Sequence, residues 1–157
     1  MRILFVCTGN TCRSPMAVSI ARQVAAERGL NDLEFESAGT GAYEGTGASD
    51  GAILVALERG RDLSEHRARQ LTRALVESAD LILVMGDRHL QRVMELGGDG
   101  KAYLLTDYAS HGGDVHGVTD PFGGDLESYR ITYDELEQVV RRAFDRLTSS
   151  RTPPESR

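Results

Sequence analysis

A cysteine and an arginine near the start of the chain have the spacing of a thiolate phosphate-binding loop. Cys7 follows the apolar run 3–6, and Arg13 stands six positions after it. Small and polar residues separate the two, and Pro15 stands where a helix takes its first residue. A strand, a glycine-bearing loop and a helix N-terminus together form an anion cradle. The pattern predicts a thiolate at Cys7 that attacks phosphorus.

The residues of this loop have separate expected roles. We expect the backbone N–H groups of residues 8–13 to converge on the phosphate oxygens, and the helix dipole and Arg13 to lower the pKa of Cys7 below its free value of about 8.5. The planar Arg13 guanidinium suits equatorial phosphoryl oxygens. Ser14 can donate a hydrogen bond to the sulfur, and Asn10 is expected to hold the loop in shape. The predicted substrate-binding residues are Thr8, Gly9, Asn10, Thr11, Cys12 and Ser14 in the loop, together with Phe122.

Both cysteines allow a second interpretation. Cys7 could be a buried structural cysteine, since free cysteines are commonly buried, although its loop context favours catalysis. Cys12 is either a small side chain that fills space at the helix start or the partner of Cys7 in a reversible disulfide. Such a disulfide would protect the nucleophile from over-oxidation.

Asp120 is the candidate general acid, because displacement by a thiolate needs a group that protonates the leaving group. It lies in the sequence Thr-Asp-Pro-Phe-Gly-Gly at 119–124, where Pro121 stiffens the turn and the glycines let the loop approach a ligand. The alternative is a simple Asp-Pro turn before a helix. Asp107 and Asp114 are expected to be exposed loop carboxylates, and among the histidines only His66 is expected near the phosphate loop.

Strand and helix patterns alternate along the chain, which predicts one right-handed, doubly wound, three-layer α/β domain over residues 1–147. Residues 148–157 are predicted to be a disordered tail, and residues 106–121 a long irregular stretch. In this fold class ligands bind beyond the carboxyl ends of the strands, where Cys7 falls. The predicted strands are 2–6, 33–37, 79–85 and 102–105, and the predicted helices are 15–28, 49–59, 71–78, 88–96 and 126–147.

Composition excludes several classes of protein. The formal net charge of −6 on 157 residues does not indicate the positively charged surface that nucleic-acid binding requires. No apolar run approaches the ~20 residues that span a bilayer, and no signal-peptide pattern precedes the first strand. Two cysteines indicate a reducing, cytoplasmic setting and are a poor zinc site. The sequence leaves self-association open, with a monomer favoured.

Four blocks of sequence resemble the low-molecular-weight protein tyrosine phosphatase family, in the order and spacing of that family. The resemblance implies a four-stranded parallel sheet with helices on both faces, the phosphotyrosine phosphatase I-like fold. It also implies phosphorylated protein substrates, a cysteinyl-phosphate intermediate and no metal or other cofactor. Asn10, Ser37 and His66 are implied to brace the phosphate loop. The four blocks are residues 6–17, 37–40, 79–85 and 120–121.

Two features within the family resemble the bacterial protein-arginine phosphatases. Thr11 stands where tyrosine-directed members usually carry a larger aliphatic residue, and Phe122 is followed by glycines where those members set aromatic side chains. A threonine hydroxyl can orient the hydrolytic water, and Asp120 can hold a guanidinium by a charge-assisted contact. Phosphoarginine is therefore the predicted substrate and phosphotyrosine the alternative, because ordinary loop variation at Thr11 also explains the difference.

One departure from the family concerns the pocket wall. Gly41 stands where the family usually brings an aromatic side chain, and Tyr43 is a candidate replacement.

Three other classes of protein are alternatives to a phosphatase. A thiol-coupled arsenate reductase needs further cysteines, which are absent after Cys12. A phosphate-binding module would not need Cys7, and a flavodoxin-like nucleotide-binding domain rests on the fold alone.

Overall fold

A computed structural model describes the chain from Met1 to Arg151, with side chains to residue 149. Four parallel strands form one sheet in the order β2-β1-β3-β4. The strands are β1 (Arg2–Cys7), β2 (Glu34–Gly39), β3 (Leu81–Val84) and β4 (Ala102–Leu104). The helices are α1 (Arg13–Glu27), α2 (Asp50–Glu58), α3 (Arg73–Ser78), α4 (Asp87–Glu95), α5 (Leu105–Ser110) and α6 (Leu126–Arg151).

The central strand β1 is apolar on both faces because helices cover both sides of the sheet. Alternate side chains of a strand point to opposite faces. Ile3, Phe5 and Cys7 pack in the cluster formed with α1, α2, α5 and α6, whereas Leu4 and Val6 pack in the cluster formed with α3 and α4. This arrangement confirms the predicted three-layer α/β fold. In the described part of the chain, no helix is long and apolar enough to cross a membrane.

The carboxyl end of β2 lies against the loop that follows β1. Cys7 pairs in register with Gly39, and the N–H groups of Thr40 and Gly41 donate to the carbonyl oxygens of Cys7 and Thr8, each at 2.9 Å. A Cβ atom at Gly39 would lie 2.3 Å from the Thr8 carbonyl oxygen. Only glycine permits this approach, so the end of β2 fixes the path of the chain directly after Cys7.

Most predicted element boundaries differ from the observed ones by one or two residues, and three differences have larger consequences. Helix α1 begins at Arg13, so Pro15 is its third residue rather than its first; the first turn tolerates it because N–H groups there have no partner inside the helix. Helix α6 continues to Arg151, four residues into the predicted tail. The remainder of that tail, 152–157, lies outside the described residues.

The third correction concerns the predicted irregular stretch 106–121, which begins inside helix α5. Leu105, Tyr108 and Ala109 have helical spacing and are buried. The helix ends after six residues at His111, which adopts the left-handed conformation (φ 54°). The sequence that follows is rich in glycine, histidine and aspartate and is not helical. The helical spacing of apolar residues before it is therefore too short to be recognised from the sequence.

Candidate active site

Asn10 is the centre of a buried hydrogen-bond network beneath the loop 7–14. Its backbone is in the left-handed region (φ 58°), where asparagine is tolerated better than most residues. Its side-chain amide donates to the Ser14 hydroxyl at 2.8 Å and to the Ser37 hydroxyl at 2.9 Å. Its side-chain oxygen accepts from the Arg69 backbone N–H at 2.9 Å. One fully buried side chain thus links the loop to α1, to β2 and to the segment before α3.

His66 supports the same network from the opposite side. Its Nε2 lies 2.6 Å from the Asn10 carbonyl oxygen and therefore donates a proton to it. Burial lowers the pKa of His66, with the charges of nearby arginines acting in the same direction and the contact to Asn10 opposing them. Arg69 Nε also donates to the Ser37 carbonyl oxygen at 3.0 Å. Both residues predicted to support the loop, Ser37 and His66, contact Asn10.

The Cys7 sulfur lies 2.8 Å from the Ser14 hydroxyl oxygen. Burial raises the pKa of the Cys7 thiol above its ordinary value, whereas the Ser14 hydrogen bonds and the Arg13 charge lower it. The predicted lowering of this pKa was therefore wrong in net direction. The prediction counted the favourable dipole and charge but omitted the cost of burying a thiolate. Ser14 and Arg13 offset part of that cost.

Arg13 connects the phosphate loop to the segment that carries Asp120. The guanidinium is buried, and it donates to the Val118 carbonyl oxygen at 3.0 Å and lies 3.5 Å from a carboxylate oxygen of Asp120. The other carboxylate oxygen of Asp120 accepts from the backbone N–H of Phe122 at 3.1 Å. Asp120 thus both forms a local turn and faces the phosphate loop. Its two interpretations, as a general acid and as an Asp-Pro turn, are therefore compatible.

A cavity of about 360 Å³ opens above the phosphate loop. Cys7 and Asp120 both line it, whereas the side chains of Asn10 and Ser14 lie beneath the loop and are not among its lining residues. Gly41 and Thr46 were not predicted to line it. The complete lining is Cys7, Thr8, Gly9, Thr11, Cys12, Arg13, Gly41, Tyr43, Thr46, Asp120 and Phe122. Within the described residues, no cluster of three or more His, Cys, Asp or Glu could hold a metal ion.

Two aromatic side chains form the rim of this cavity. Tyr43 is 83% exposed and Phe122 is 72% exposed, which is unusual for large hydrophobic side chains. Tyr43 follows the glycine at position 41, and it lines the cavity as its candidate role required. Because both rings are exposed, they are available to contact the part of a substrate that projects from the loop.

Cys12 lies in a polar cluster at the start of α1. Its sulfur is 3.2 Å from the Ser49 hydroxyl and 3.5 Å from the Tyr129 hydroxyl. Ser49 caps α2 and also donates its backbone N–H to the Thr11 carbonyl oxygen at 2.9 Å. Burial, assisted by Cys12, raises the pKa of Tyr129 to about 12. Both cysteines are free thiols, and their reversible disulfide stays a prediction.

His89 is also buried at this site, so the prediction that His66 is the only histidine near the phosphate loop was wrong. It is 5% exposed, and its Nε2 lies 2.8 Å from the Thr8 hydroxyl oxygen. Burial lowers the pKa of His89 to about 4, with a further contribution from the Arg13 charge. One signal was available: His89 is in the first turn of α4, directly after the carboxyl end of β3, which pairs with β1.

The family model for low molecular weight phosphotyrosine protein phosphatase matches residues 2–152. A four-stranded parallel sheet with a cysteine at the end of β1 and an arginine at the start of the following helix is the arrangement expected for that family. The chain therefore belongs to the low molecular weight phosphotyrosine protein phosphatase family, and it is a hydrolase.

Similar proteins carry two different names. A protein-arginine-phosphatase of Bacillus subtilis is 40% identical over 155 residues, 96% of this chain and 99% of the relative. A low molecular weight protein-tyrosine-phosphatase, PtpB of Staphylococcus haemolyticus, is 41% identical over 142 residues, 89% of this chain and 95% of the relative. The solved YwlE arginine phosphatase from Geobacillus stearothermophilus superposes with a TM-score of 0.86 at 38% identity, covering 96% of this chain and 94% of that chain.

Proposed function

We propose that this protein is a cysteine-dependent phosphatase that hydrolyses phosphoarginine in proteins through a cysteinyl-phosphate intermediate. The observation that carries the substrate assignment is the pairing of Thr11 and Asp120 at one cavity. A hydroxyl and a carboxyl group at the cavity can both accept hydrogen bonds from a guanidinium, which is polar, planar and rich in donors. The protein-arginine-phosphatase of Bacillus subtilis, similar over nearly its whole length, supports the same assignment.

The reaction has two balanced steps that use only protein groups and water. The thiolate form of Cys7, which the Ser14 hydrogen bonds and the Arg13 charge favour against the effect of burial, attacks phosphorus, and the P–N bond breaks as the S–P bond forms. The departing guanidine nitrogen takes a proton from Asp120. Water then attacks the phosphocysteine and gives its proton to Asp120, the S–P bond breaks, and inorganic phosphate leaves. Arg13 and the backbone N–H groups of the loop stabilise the equatorial oxygens in both transition states.

Overall identity does not decide the substrate. The similar protein-arginine-phosphatase and protein-tyrosine-phosphatase differ by one percentage point in identity to this chain. The decision therefore depends on local chemistry at the cavity. Thr11 is the discriminating residue in our proposal, because it lines the cavity and its hydroxyl oxygen lies 3.7 Å from the Cys12 sulfur. A branched aliphatic side chain there would remove a polar group that a guanidinium or a water can use.

Phosphotyrosine is the second candidate substrate. The exposed rings of Tyr43 and Phe122 at the cavity rim are the observation that favours it, since aromatic side chains pack well against a phenol ring. The same rings can also stack on a planar guanidinium. The rim is therefore compatible with both substrates.

The experiment compares kcat/KM on a protein phosphorylated on arginine and on the same protein phosphorylated on tyrosine. We expect the wild type to prefer phosphoarginine and Thr11→Ile to shift the ratio toward phosphotyrosine by at least about tenfold. Thr46→Ile, which adds the same bulk to another threonine of the cavity, is the matched control and should leave the ratio unchanged. A wild-type preference for phosphotyrosine would reject the substrate assignment.

The Cys7→Ser variant tests the mechanism separately. Loss of the nucleophile should reduce kcat by about 10⁴-fold or more on either substrate. Turnover within tenfold of the wild type would exclude the cysteinyl-phosphate intermediate.

The remaining assignments are also proposals. We infer that residues 1–147 act as one phosphatase domain, that the domain is monomeric, and that it acts on phosphorylated proteins of the cytoplasm. Two free thiols at the cavity support a reducing environment, because a nucleophilic cysteine beside a second cysteine is readily oxidised.

A further inference from the structure

The contact between Thr8 and His89 is not used in the mechanism above. Thr8 directly follows the nucleophile, and His89 reaches it from α4, on the far side of β3. The histidine is buried, its Nε2 is 2.8 Å from the Thr8 hydroxyl oxygen, and its Nδ1 is buried without a hydrogen-bond partner among the described residues. A buried ionisable side chain with a single polar contact, made to a cavity residue, calls for a functional explanation.

The unpartnered Nδ1 identifies the tautomer of His89. A neutral imidazole carries one N–H and one lone pair. A buried N–H without an acceptor is rarer than a buried acceptor without a donor. The proton therefore belongs on Nε2, which donates it to the Thr8 hydroxyl oxygen. The low pKa keeps the ring neutral at physiological pH, so this donation is constant there.

The Thr8 hydroxyl proton must then point away from His89. The oxygen already accepts from the imidazole, and this contact is the only hydrogen bond that the described residues give the Thr8 side chain. Thr8 is exposed and lines the cavity together with Cys7 and Arg13. Its hydroxyl proton is therefore free to point into the cavity.

We propose that His89 is a positioning residue for the phosphate site: it orients the Thr8 hydroxyl so that this group donates a hydrogen bond to a phosphoryl oxygen above Cys7. This inference rests on the proposed phosphatase function, since it assigns a further donor to the same anion site. Thr8 contributes a side-chain donor in addition to its backbone N–H. Helix α4 therefore supports the phosphate loop in the same way that β2 supports it through Ser37, from the opposite edge of β1.

The test measures binding of inorganic phosphate by calorimetry, which does not depend on turnover, and kcat/KM alongside it. We expect His89→Leu and Thr8→Val each to weaken phosphate binding about tenfold, because Thr8→Val removes the hydrogen bond to the charged phosphoryl oxygen and His89→Leu removes the contact that orients it. The double variant should be no weaker than Thr8→Val alone, since both changes remove the same contact. His116→Gln, at an exposed histidine, is the control and should bind as the wild type does.

Two conservative variants separate positioning from packing. The side-chain amide of His89→Gln reaches the position of Nε2 and should restore phosphate binding to within about threefold of the wild type. His89→Asn has a shorter amide and should resemble His89→Leu. Equal binding by these two variants, or losses that add in the double variant, would overturn the proposal. If phosphate binding follows the expected pattern but the wild type hydrolyses neither substrate, the phosphatase proposal fails and the His89 inference stands.

Discussion

The phosphate loop, residues 7–14, and the acid segment, residues 117–124, meet at one cavity but are built differently. The loop encloses Asn10, which is fully buried and forms hydrogen bonds with α1, with β2 and with the segment before α3. The acid segment ends in exposed residues, with the Asp120 side chain half exposed. Its attachment is concentrated at Val118, which donates to the Met85 carbonyl oxygen at 2.8 Å and accepts from Arg13 at 3.0 Å.

This difference follows from the chemistry that each region performs. A phosphoryl group has the same shape in every substrate, so a rigid anion site with fixed donors suits all of them. The leaving group differs between substrates, and the residue that protonates it must be able to approach different atoms. Asp120 lies two residues beyond the anchored Val118, in a turn followed by glycines, and this placement leaves it room to adjust. Substitutions in the phosphate loop should therefore reduce both stability and activity, whereas those in the acid segment should reduce activity alone.

Asn10→Ala should have the largest combined effect. It leaves the Ser14 and Ser37 hydroxyls and the Arg69 backbone N–H without their hydrogen-bond partner. It also places alanine in the left-handed backbone conformation (φ 58°), which asparagine tolerates better. We expect the free energy of unfolding to fall by about 3 kcal/mol and kcat/KM by about 10³-fold. Urea denaturation and steady-state kinetics measure the two effects. Asn31→Ala, at an exposed asparagine, is the control; wild-type stability in Asn10→Ala would contradict the rigid-loop interpretation.

Asp120→Asn should reduce activity while leaving stability nearly intact. The amide cannot supply or accept the proton, so we expect kcat to fall by about 10²-fold. Asp120 is half exposed and 3.5 Å from Arg13, and the buried guanidinium keeps its hydrogen bond to Val118, so the urea midpoint should change little. Asp114→Asn, in the preceding loop, should behave as the wild type. A large loss of stability in Asp120→Asn would show that the acid segment is as firmly integrated as the phosphate loop.

Ser14→Ala should change the pH dependence of Cys7. The Ser14 hydrogen bonds lower the pKa of this thiol, so their loss raises it and decreases the thiolate fraction at neutral pH. Alkylation by iodoacetamide should therefore reach its half-maximal rate at a higher pH than in the wild type, and kcat/KM at pH 7 should fall about tenfold. Ser19→Ala, one turn further along α1, is the control. An alkylation profile that moves to lower pH would contradict this sign.

The sequence predicted the sheet and the chemistry better than the contacts between distant segments. The strands were found because alternate and continuous apolar residues are visible in the chain, and Cys7 and Arg13 because loop chemistry depends on adjacent residues. His89 and Tyr129 were missed because they reach Thr8 and Cys12 from 81 and 117 residues away. The predicted direction of the Cys7 pKa shift was wrong for the same reason, because the burial that raises this pKa exists only in the packed fold.

Phe122→Ala should have the smallest effect on stability and activity. It removes an exposed ring of the acid segment at the rim of the cavity. The ring is 72% exposed, so its removal costs almost no buried area, and the thermal midpoint should stay within experimental error. The ring becomes covered only when a substrate lies against it, so we expect KM to rise about threefold with kcat unchanged. Leu54→Ala, at an exposed side chain of α2, is the control. A fall in kcat without a change in KM would mean that Phe122 acts on the position of Asp120, two residues away, and the rim would then belong to the catalytic machinery rather than to substrate binding.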